Sequence, residues 1–556
     1  MALRFITGRA GKGKSYYIYN EIRQHILEDR SREKLILLVP EQYTLQAERD
    51  FMDKTGLQGI MQLEILSFTR LAQRIFNEMG GLTRVMLNEQ GKNMVLRRVM
   101  EKLEGELLVY NNSCRQNGFV NELMEFLAGL KQRAVAIDDI KQMQDSIDKD
   151  SLLGRKLHDV TLIYQHFNDY LQERYIDSED YINLFIDMMP SSRYLSTSRI
   201  WVDNFATFSP QSLRILEQLI TVCPETTISL TLNNDKGRRD EDLFILSRRT
   251  YRSLNEMAQN NGITAHLINI DTTAANQLRN KELLHLEQEL FAYPSIKYRE
   301  PVGCLSIFAA ANPDSEVEDL AARLISLVRD EGYRWKDIAV ICNDLNSYGG
   351  LIKRVFREYA IPFFMDQKRD VMDNPIIEYI LASLHGVERG YLYEDVFRCL
   401  KTGLGAVDSE SSEKLENYVL SNGIRGNRWK EPFTWGEEDE LEELNQWREA
   451  VITPLEEMKT ALSGEETFAG ITRILYDYLE NLGVQEKLQS WIEELRAQEL
   501  YEVVNQYTQI WNIVIETFDQ MVEILGDQQG GLKEYIKVLE AGFSSHELGI
   551  IPTTVD

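Results

Sequence analysis

At 556 residues the chain exceeds what one hydrophobic core can organise, so about three or four domains are expected. The composition is 43% hydrophobic and 27% charged, the balance of a water-soluble globular protein, and no run approaches the roughly 20 apolar residues that span a bilayer. Lys and Arg number 61 against 88 Asp and Glu, a net charge of −27. That disfavours a sequence-independent DNA coat, which works through cationic side chains releasing counterions, and leaves open a local basic track within a larger assembly.

The chain enters structure at once. Met1-Ala2-Leu3-Arg4-Phe5-Ile6 has none of the charged, apolar and cleavage regions of a secretory signal, so a cytoplasmic protein is expected. Leu3–Thr7 reads as a short apolar strand, followed by Gly8-Arg9-Ala10-Gly11-Lys12-Gly13-Lys14-Ser15 and a helix from about Lys14. This is a phosphate-binding P-loop. Gly8 and Gly13 let backbone N–H groups turn inward around phosphate oxygens where side chains would obstruct them. Lys14 reaches the β- and γ-phosphates, Ser15 Oγ ligates Mg²⁺, and the following helix points its positive end at the anion. Lys12 adds local charge, with its side chain expected to face solvent.

Lys34–Val39 is a continuous apolar run, as for a parallel strand buried on both faces, and Pro40 stops it. Glu41–Gln46 opens the next helix, and Leu63–Ser67 feeds a helix from Phe68, giving a βαβ layout. From about 86 to 190 only helical periodicity is present. The sheet resumes at Ser198–Asp203 and Thr227–Leu232, so a helical insert interrupts a parallel sheet. A second α/β unit starts near 300, with strands at Cys304–Phe308 and Asp337–Cys342 and an amphipathic helix over Glu316–Val328. Helices then run from about 374 to 540, and the acidic run Glu437–Glu440 reads as a solvated helix face. Ile550–Asp556 looks like the approach to another strand, so the chain is read as a fragment cut inside a domain.

The five cysteines, at 114, 223, 304, 342 and 399, form no CxxC pair and no metal-ligand spacing, and read as buried free thiols. Hydrolysis of a nucleotide needs an acidic motif at a later strand end. Asp203 is the candidate, either as a magnesium-shell residue or as a plain strand-end cap. The next residue is Asn204, whose amide cannot take a proton from water as a carboxylate would. Strong catalysis by this chain alone is therefore not expected.

The P-loop, the Val39-Pro40-Glu41-Gln42 strand exit, the Leu66-Ser67-Phe68-Thr69-Arg70-Leu71 segment and Val202-Asp203-Asn204-Phe205 together resemble the N-terminal half of AddB, the B subunit of bacterial AddAB helicase–nucleases. Asp337–Ile341, Tyr359–Phe364, Asn374–Ile377 and His546–Pro552 extend the resemblance along the whole chain, and UvrD-type superfamily 1 helicases are similar at greater distance. The resemblance implies an α/β fold of P-loop, RecA-like parallel-sheet domains, each with a large all-α insert, and a chain truncated within the second. The division it implies is 1–85, 86–190 (helical insert) and 191–295 for the first domain, then 296–380, 381–540 (helical insert) and 541–556 for the second. It implies ATP and Mg²⁺ as cofactors, an AddA-type partner carrying the main motor, DNA ends as substrate, and a nuclease domain with an iron–sulfur cluster only beyond this fragment. Superfamily 1 proteins place DNA-contacting groups at strand exits, which singles out Tyr43, Phe68 and Arg70; the alternatives are core filling for the two aromatics and surface charge for the arginine. Alternative functions are an independently active helicase, which Asn204 opposes, a scaffold with a vestigial site, which the intact loop opposes, and a small-molecule kinase, which the helical inserts oppose.

Overall fold

A computed structural model describes residues 1–28, 33–57, 59, 62–80, 84–111, 113, 116–172, 174–233, 239–270, 280–365 and 369–548. The chain forms two compact units. The first comprises Met1–Met86, Phe126–Ile140 and Leu171–Ile307; the second comprises Leu87–Glu125, Lys141–Tyr170 and the described chain from Phe308 on.

The first unit is built on a six-stranded sheet. Its strands are β1 (Ala2–Gly8), β2 (Lys34–Leu38), β3 (Leu63–Leu66), β6 (Ser198–Val202), β7 (Glu225–Thr231) and β8 (Thr264–Asn269), in the order β3-β2-β6-β7-β1-β8. Every pairing is parallel. Two-residue strands β4 (Val85–Met86) and β5 (Tyr175–Ile176) pair separately. Helices α1 (Lys14–Leu27) and α2 (Thr44–Thr55) follow β1 and β2, and α3 (Phe68–Met79) follows β3. Between β4 and β5 the described chain is helical, through α4 (Glu89–Lys102) and α7 (Leu152–Leu171), which belong to the second unit apart from Leu171, and through α5 (Asn117–Gln132) and α6 (Ile137–Asp145), each divided between the units. Then come α8 (Ser178–Met188), α9 (Arg193–Ser196), α10 (Pro210–Val222), α11 (Ile245–Asn260) and α12 (Lys281–Glu289).

Both sheet faces are covered, which is why β2 is apolar at consecutive positions. Leu35, Leu37, Ile6 and Trp201 pack with Ile18, Ile22 and Phe51 of α1 and α2. Their neighbours Ile36, Leu38, Phe5, Ile200 and Val202 face the opposite way, against Leu71, Ile75, Leu216, Leu219 and Leu254. The strand β8 was not legible: Thr-Ala-His-Leu-Ile-Asn is an edge strand, mostly solvent-exposed, and carries little apolar signal. The helix expected from Glu41 begins as a single 3₁₀ turn, Glu41–Tyr43, before α2.

In the second unit, α13 (Pro313–Arg329) and α14 (Leu345–Glu358) pack through Val317, Ala321, Leu324, Ile352, Val355 and Phe356. The two strands expected on either side of α13 do not form. Cys304–Phe308 and Asp337–Cys342 pair with no strand among the described residues, and Ile307 and Ile341 are 101% and 91% exposed. An apolar run fixes a preference for extended backbone, but a strand exists only once a neighbour supplies its hydrogen bonds. The same exposure corrects the reading of the cysteines. Cys223 and Cys399 are buried, which pushes each thiol up to about 12, whereas Cys304 is exposed and Cys342 half-buried. Cys114 and the segment Gly549–Asp556 lie outside the described residues.

From Pro375 to Ser544 the second unit is dominated by helices. Glu437–Glu440 is exposed at the start of the helix Glu438–Leu462, where the helix dipole favours negative charge. Among the described residues no helix is long and apolar enough to cross a membrane.

Candidate nucleotide site

Sheet register builds the site. Gly8 ends β1 beside Thr231 of β7, and Val202 ends β6 beside Ile228 of β7. The loop after β1 and the carboxylate after β6 are thus separated by one strand, whose Ser229 and Thr231 lie between them. At that carboxyl-terminal edge a cavity of about 380 Å³ is lined by Ala10, Gly11, Gly13, Lys14 and Ser15 from the loop, by Asp203 and Asn204, and by Ser229 and Thr231.

Gly11 and Gly13 take φ of 73° and 84°, the left-handed region that a Cβ disfavours. Gly13 is also the N-cap of α1, and no side chain caps that helix. The backbone amides that open α1 are therefore presented to the cavity with the positive end of the helix behind them. Lys14 Nζ donates to the carbonyls of Gly8 at 2.9 Å and Arg9 at 3.0 Å, so the lysine folds over the loop it belongs to.

Asp203 is 2% exposed. Ser229 Oγ donates to its Oδ1, while Oδ2 is buried with no hydrogen-bond partner. A buried carboxylate oxygen left unmatched is costly unless water or a cation completes it. Among the described residues no group of three or more His, Cys, Asp or Glu could hold a metal by itself. A magnesium ion carried by a nucleotide asks less of the protein, typically one or two oxygens beside phosphate and water. Ser15 and Asp203 both line the cavity and carry the oxygens that would hold such an ion, so the residues fit Mg-nucleotide. Asn204, at the rim, is exposed and sits at φ 64°, a conformation Asn tolerates better than most residues.

The remaining expected residues separate. The Arg9 side chain is buried in ion pairs with Asp240 and Glu287 and is absent from the cavity lining. Lys12 is half-buried and also outside that lining. Tyr43, Phe68 and Arg70 lie along the same sheet edge, after β2 and β3. Tyr43 is half-buried; its hydroxyl donates to Asp50 at 2.9 Å, and burial together with that carboxylate raises its pKa. Burial opposes ionisation of Asp50, yet its bonds from Tyr43 and Gln46 and the charge of Lys54 hold it below the usual carboxylate range. Phe68 packs on Phe205 with ring centroids 5.2 Å apart, and Phe205 stacks on Phe208 at 5.0 Å. The Arg70 side chain is exposed, while its backbone N–H is the one that caps onto Ser67 Oγ at 3.2 Å.

Sequence reading missed Ser229, Thr231, Lys54 and Phe205 as cavity residues. Alternating hydroxyls at Thr227, Ser229 and Thr231 along β7 were an available signal. Lys54 had none beyond its i,i+4 spacing from Asp50.

The family model described as ADDB, N-terminal, matches residues 5–287. A protein of Alkaliphilus oremlandii, named as the B subunit of an ATP-dependent helicase/deoxyribonuclease, is 43% identical over 573 residues, covering 100% of this chain and 50% of the relative. Proteins of the same name from Alkaliphilus metalliredigens and Clostridium tetani are 42% and 37% identical, with the same coverage. The chain thus spans about half the length of these curated relatives. A glycine loop read from sequence, its placement at a parallel-sheet edge opposite Asp203, and this match over more than half of the chain agree, and the chain belongs to the AddB family, to its N-terminal part.

Proposed function

We propose that this chain is the ATP-binding, helicase-like N-terminal region of the B subunit of an ATP-dependent helicase/deoxyribonuclease. In this reading it works with an AddA-type subunit on double-stranded DNA ends in recombinational repair, in the cytoplasm. The observation that carries the nucleotide assignment is that Lys14, Ser15 and Asp203, whose Oδ2 is unmatched, line one cavity.

When bound, Mg-ATP supplies an activated phosphoanhydride; the chain's own residues supply its seat. Lys14 Nζ, which donates here to the carbonyls of Gly8 and Arg9, is the group that would hold phosphate oxygens. The amides of Gly11 to Ser15 would receive the anion, Ser15 and Asp203 would hold its magnesium ion, and Ser229 holds Asp203 in place. No carboxylate follows Asp203 to orient water, because Asn204 occupies that position, so turnover is slow. Tyr43, Phe68 and Arg70 are proposed to meet DNA along the adjoining edge. The aromatic row Phe68–Phe205–Phe208 offers π-faces for bases.

The test is Lys14→Ala in the assembled heterodimer, read by binding of a fluorescent ATP analogue and by ATPase rate. A loss of analogue binding at this subunit is expected. Unchanged binding and turnover would overturn the assignment.

A further inference from the structure

Arg9 is the second residue of the phosphate loop, yet its side chain is 5% exposed and reaches a different set of residues from those around the cavity. Its Nε donates to both carboxylate oxygens of Glu287, at 2.8 and 3.0 Å, and its Nη2 to the Glu287 carbonyl at 2.7 Å. Its Nη1 donates to Asp240 Oδ2, whose other oxygen accepts from Asn233 Nδ2 at 3.0 Å. The guanidinium also lies over the Phe244 ring, 5.2 Å from its centroid. A planar guanidinium held by both edges has little freedom, and neither does the backbone from which it hangs. That backbone is part of the loop: the Arg9 carbonyl accepts from Lys14 Nζ at 3.0 Å. A continuous line of contacts therefore runs from α12 through Glu287, the Arg9 side chain and the Arg9 carbonyl to the phosphate lysine.

We propose that Arg9 is a positioning residue: clamped by Asp240 and Glu287, it holds the loop from Gly8 to Ser15 in its anion-receiving form and ties α12 to the occupancy of that loop. Arg9 touches no phosphate in this scheme. Glu287 and Asp240 act through it, and Lys14 is the group they position. Burial alone would lower the Arg9 pKa, but its bonds to Asp240 and Glu287 raise it, so the clamp stays charged across the physiological range. The proposal rests on the nucleotide reading above, and its first test does not need a nucleotide.

Amide hydrogen exchange is measured on residues 8–15 and 281–289 of the chain and of its Arg9→Met, Arg9→Lys and Glu287→Gln variants, without and with Mg²⁺ and a non-hydrolysable ATP analogue. Without nucleotide, Arg9→Met is expected to speed exchange in the loop by about tenfold or more, and Arg9→Lys to recover only part of the protection because an ammonium cannot make the fork. With the analogue, 281–289 of the parent gains protection, and Glu287→Gln, which keeps the side-chain shape, loses that response while its affinity falls about tenfold. Loop exchange identical in Arg9→Met and the parent overturns the proposal, as does an α12 response that persists in Glu287→Gln. Should Arg9→Met fail to fold, Glu287→Gln and Arg9→Lys decide the question. Loop exchange that speeds up in Arg9→Met while the parent binds no analogue upholds the positioning role and sinks the nucleotide reading instead.

Discussion

Ser229 donates its hydroxyl hydrogen to Oδ1 of Asp203 across adjacent parallel strands, and the second carboxylate oxygen of Asp203 is left buried without a partner at the edge of the glycine loop. One oxygen is held by the sheet, and the other is without a partner on a residue that lines the cavity. Asp203→Asn is expected to weaken binding of an ATP analogue in Mg²⁺ by about tenfold, ~1.4 kcal/mol, and to leave binding in excess chelator unchanged. Ser229→Ala leaves both oxygens of a buried carboxylate unmatched and is expected to cost about 1–3 kcal/mol in urea unfolding. Equal magnesium dependence in Asp203→Asn and the parent would remove Asp203 from the metal side of the site.

Asn204 carries two constraints at once, a left-handed backbone and the absence of a carboxylate. Asn204→Gly accepts the backbone freely and should be neutral or slightly stabilising, whereas Asn204→Val should cost about 1–2 kcal/mol, because β-branched side chains are disfavoured at positive φ. Asn204→Glu supplies a carboxylate at the cavity rim. ATP turnover by the assembled complex, with the partner's own motor silenced, is expected to rise about tenfold or more. Turnover at the parent level would show that the missing carboxylate is not what limits hydrolysis.

Phe68 and Arg70 should separate in their effects on single-stranded DNA. Phe68→Ala removes a stacking face and is expected to cost about 1–3 kcal/mol in affinity, with Phe68→Leu used to distinguish stacking from simple support of Phe205. Arg70→Ala should lower affinity evenly across sequences and reduce the slope of log affinity against log salt by about one. Fluorescence anisotropy at several salt concentrations measures both. An unchanged salt slope would return Arg70 to the role of surface charge.

Acid sensitivity of the first unit should trace to the carboxylates around the loop clamp. The hydrogen bond from Arg239 to Glu289, aided by the Ile296 amide, lowers this carboxyl from its usual 4.5 to about 2. Burial works against ionisation of Asp240, but Arg9 and Asn233 hold its pKa below the ordinary aspartate value. Both folded pKa values are depressed, so the unfolded chain takes up protons first as pH falls. The stabilisation is fully present above about pH 4.5 and is lost progressively as pH drops toward 2. Thermal midpoints of the parent should decline through that window, and Glu289→Gln should flatten the decline. A parallel decline in the variant would assign the acid sensitivity elsewhere.

How much was readable from the chain depends on how local each cause is. The loop from Gly8 to Ser15 is legible because its glycines, lysine and hydroxyl lie within eight consecutive residues, and the structure corrects which glycines turn it: Gly11 and Gly13 take the left-handed conformation, while Gly8 is the last residue of β1. Strands β1, β2, β3, β6 and β7 are legible because each carries buried apolar residues that pack into the core of the sheet. β8 escaped detection because an edge strand needs only one covered face.

Cys304–Phe308 and Asp337–Cys342 have the same apolar pattern as β2 and remain unpaired, since strand formation is a property of two segments and composition describes one. Arg9 illustrates the same division within the site. Its place in the loop follows from sequence alone, while the direction of its side chain was decided by Asp240 and Glu287, 231 and 278 residues away along the chain. Sequence by itself determined that a glycine-rich loop with its lysine and hydroxyl lies between a strand and a helix, because backbone conformation and local polarity suffice for that. The tertiary structure alone decided that Asp203, Ser229 and Lys54 share its cavity and that Arg9 does not, because sheet register and the packing of distant helices set which side chains meet.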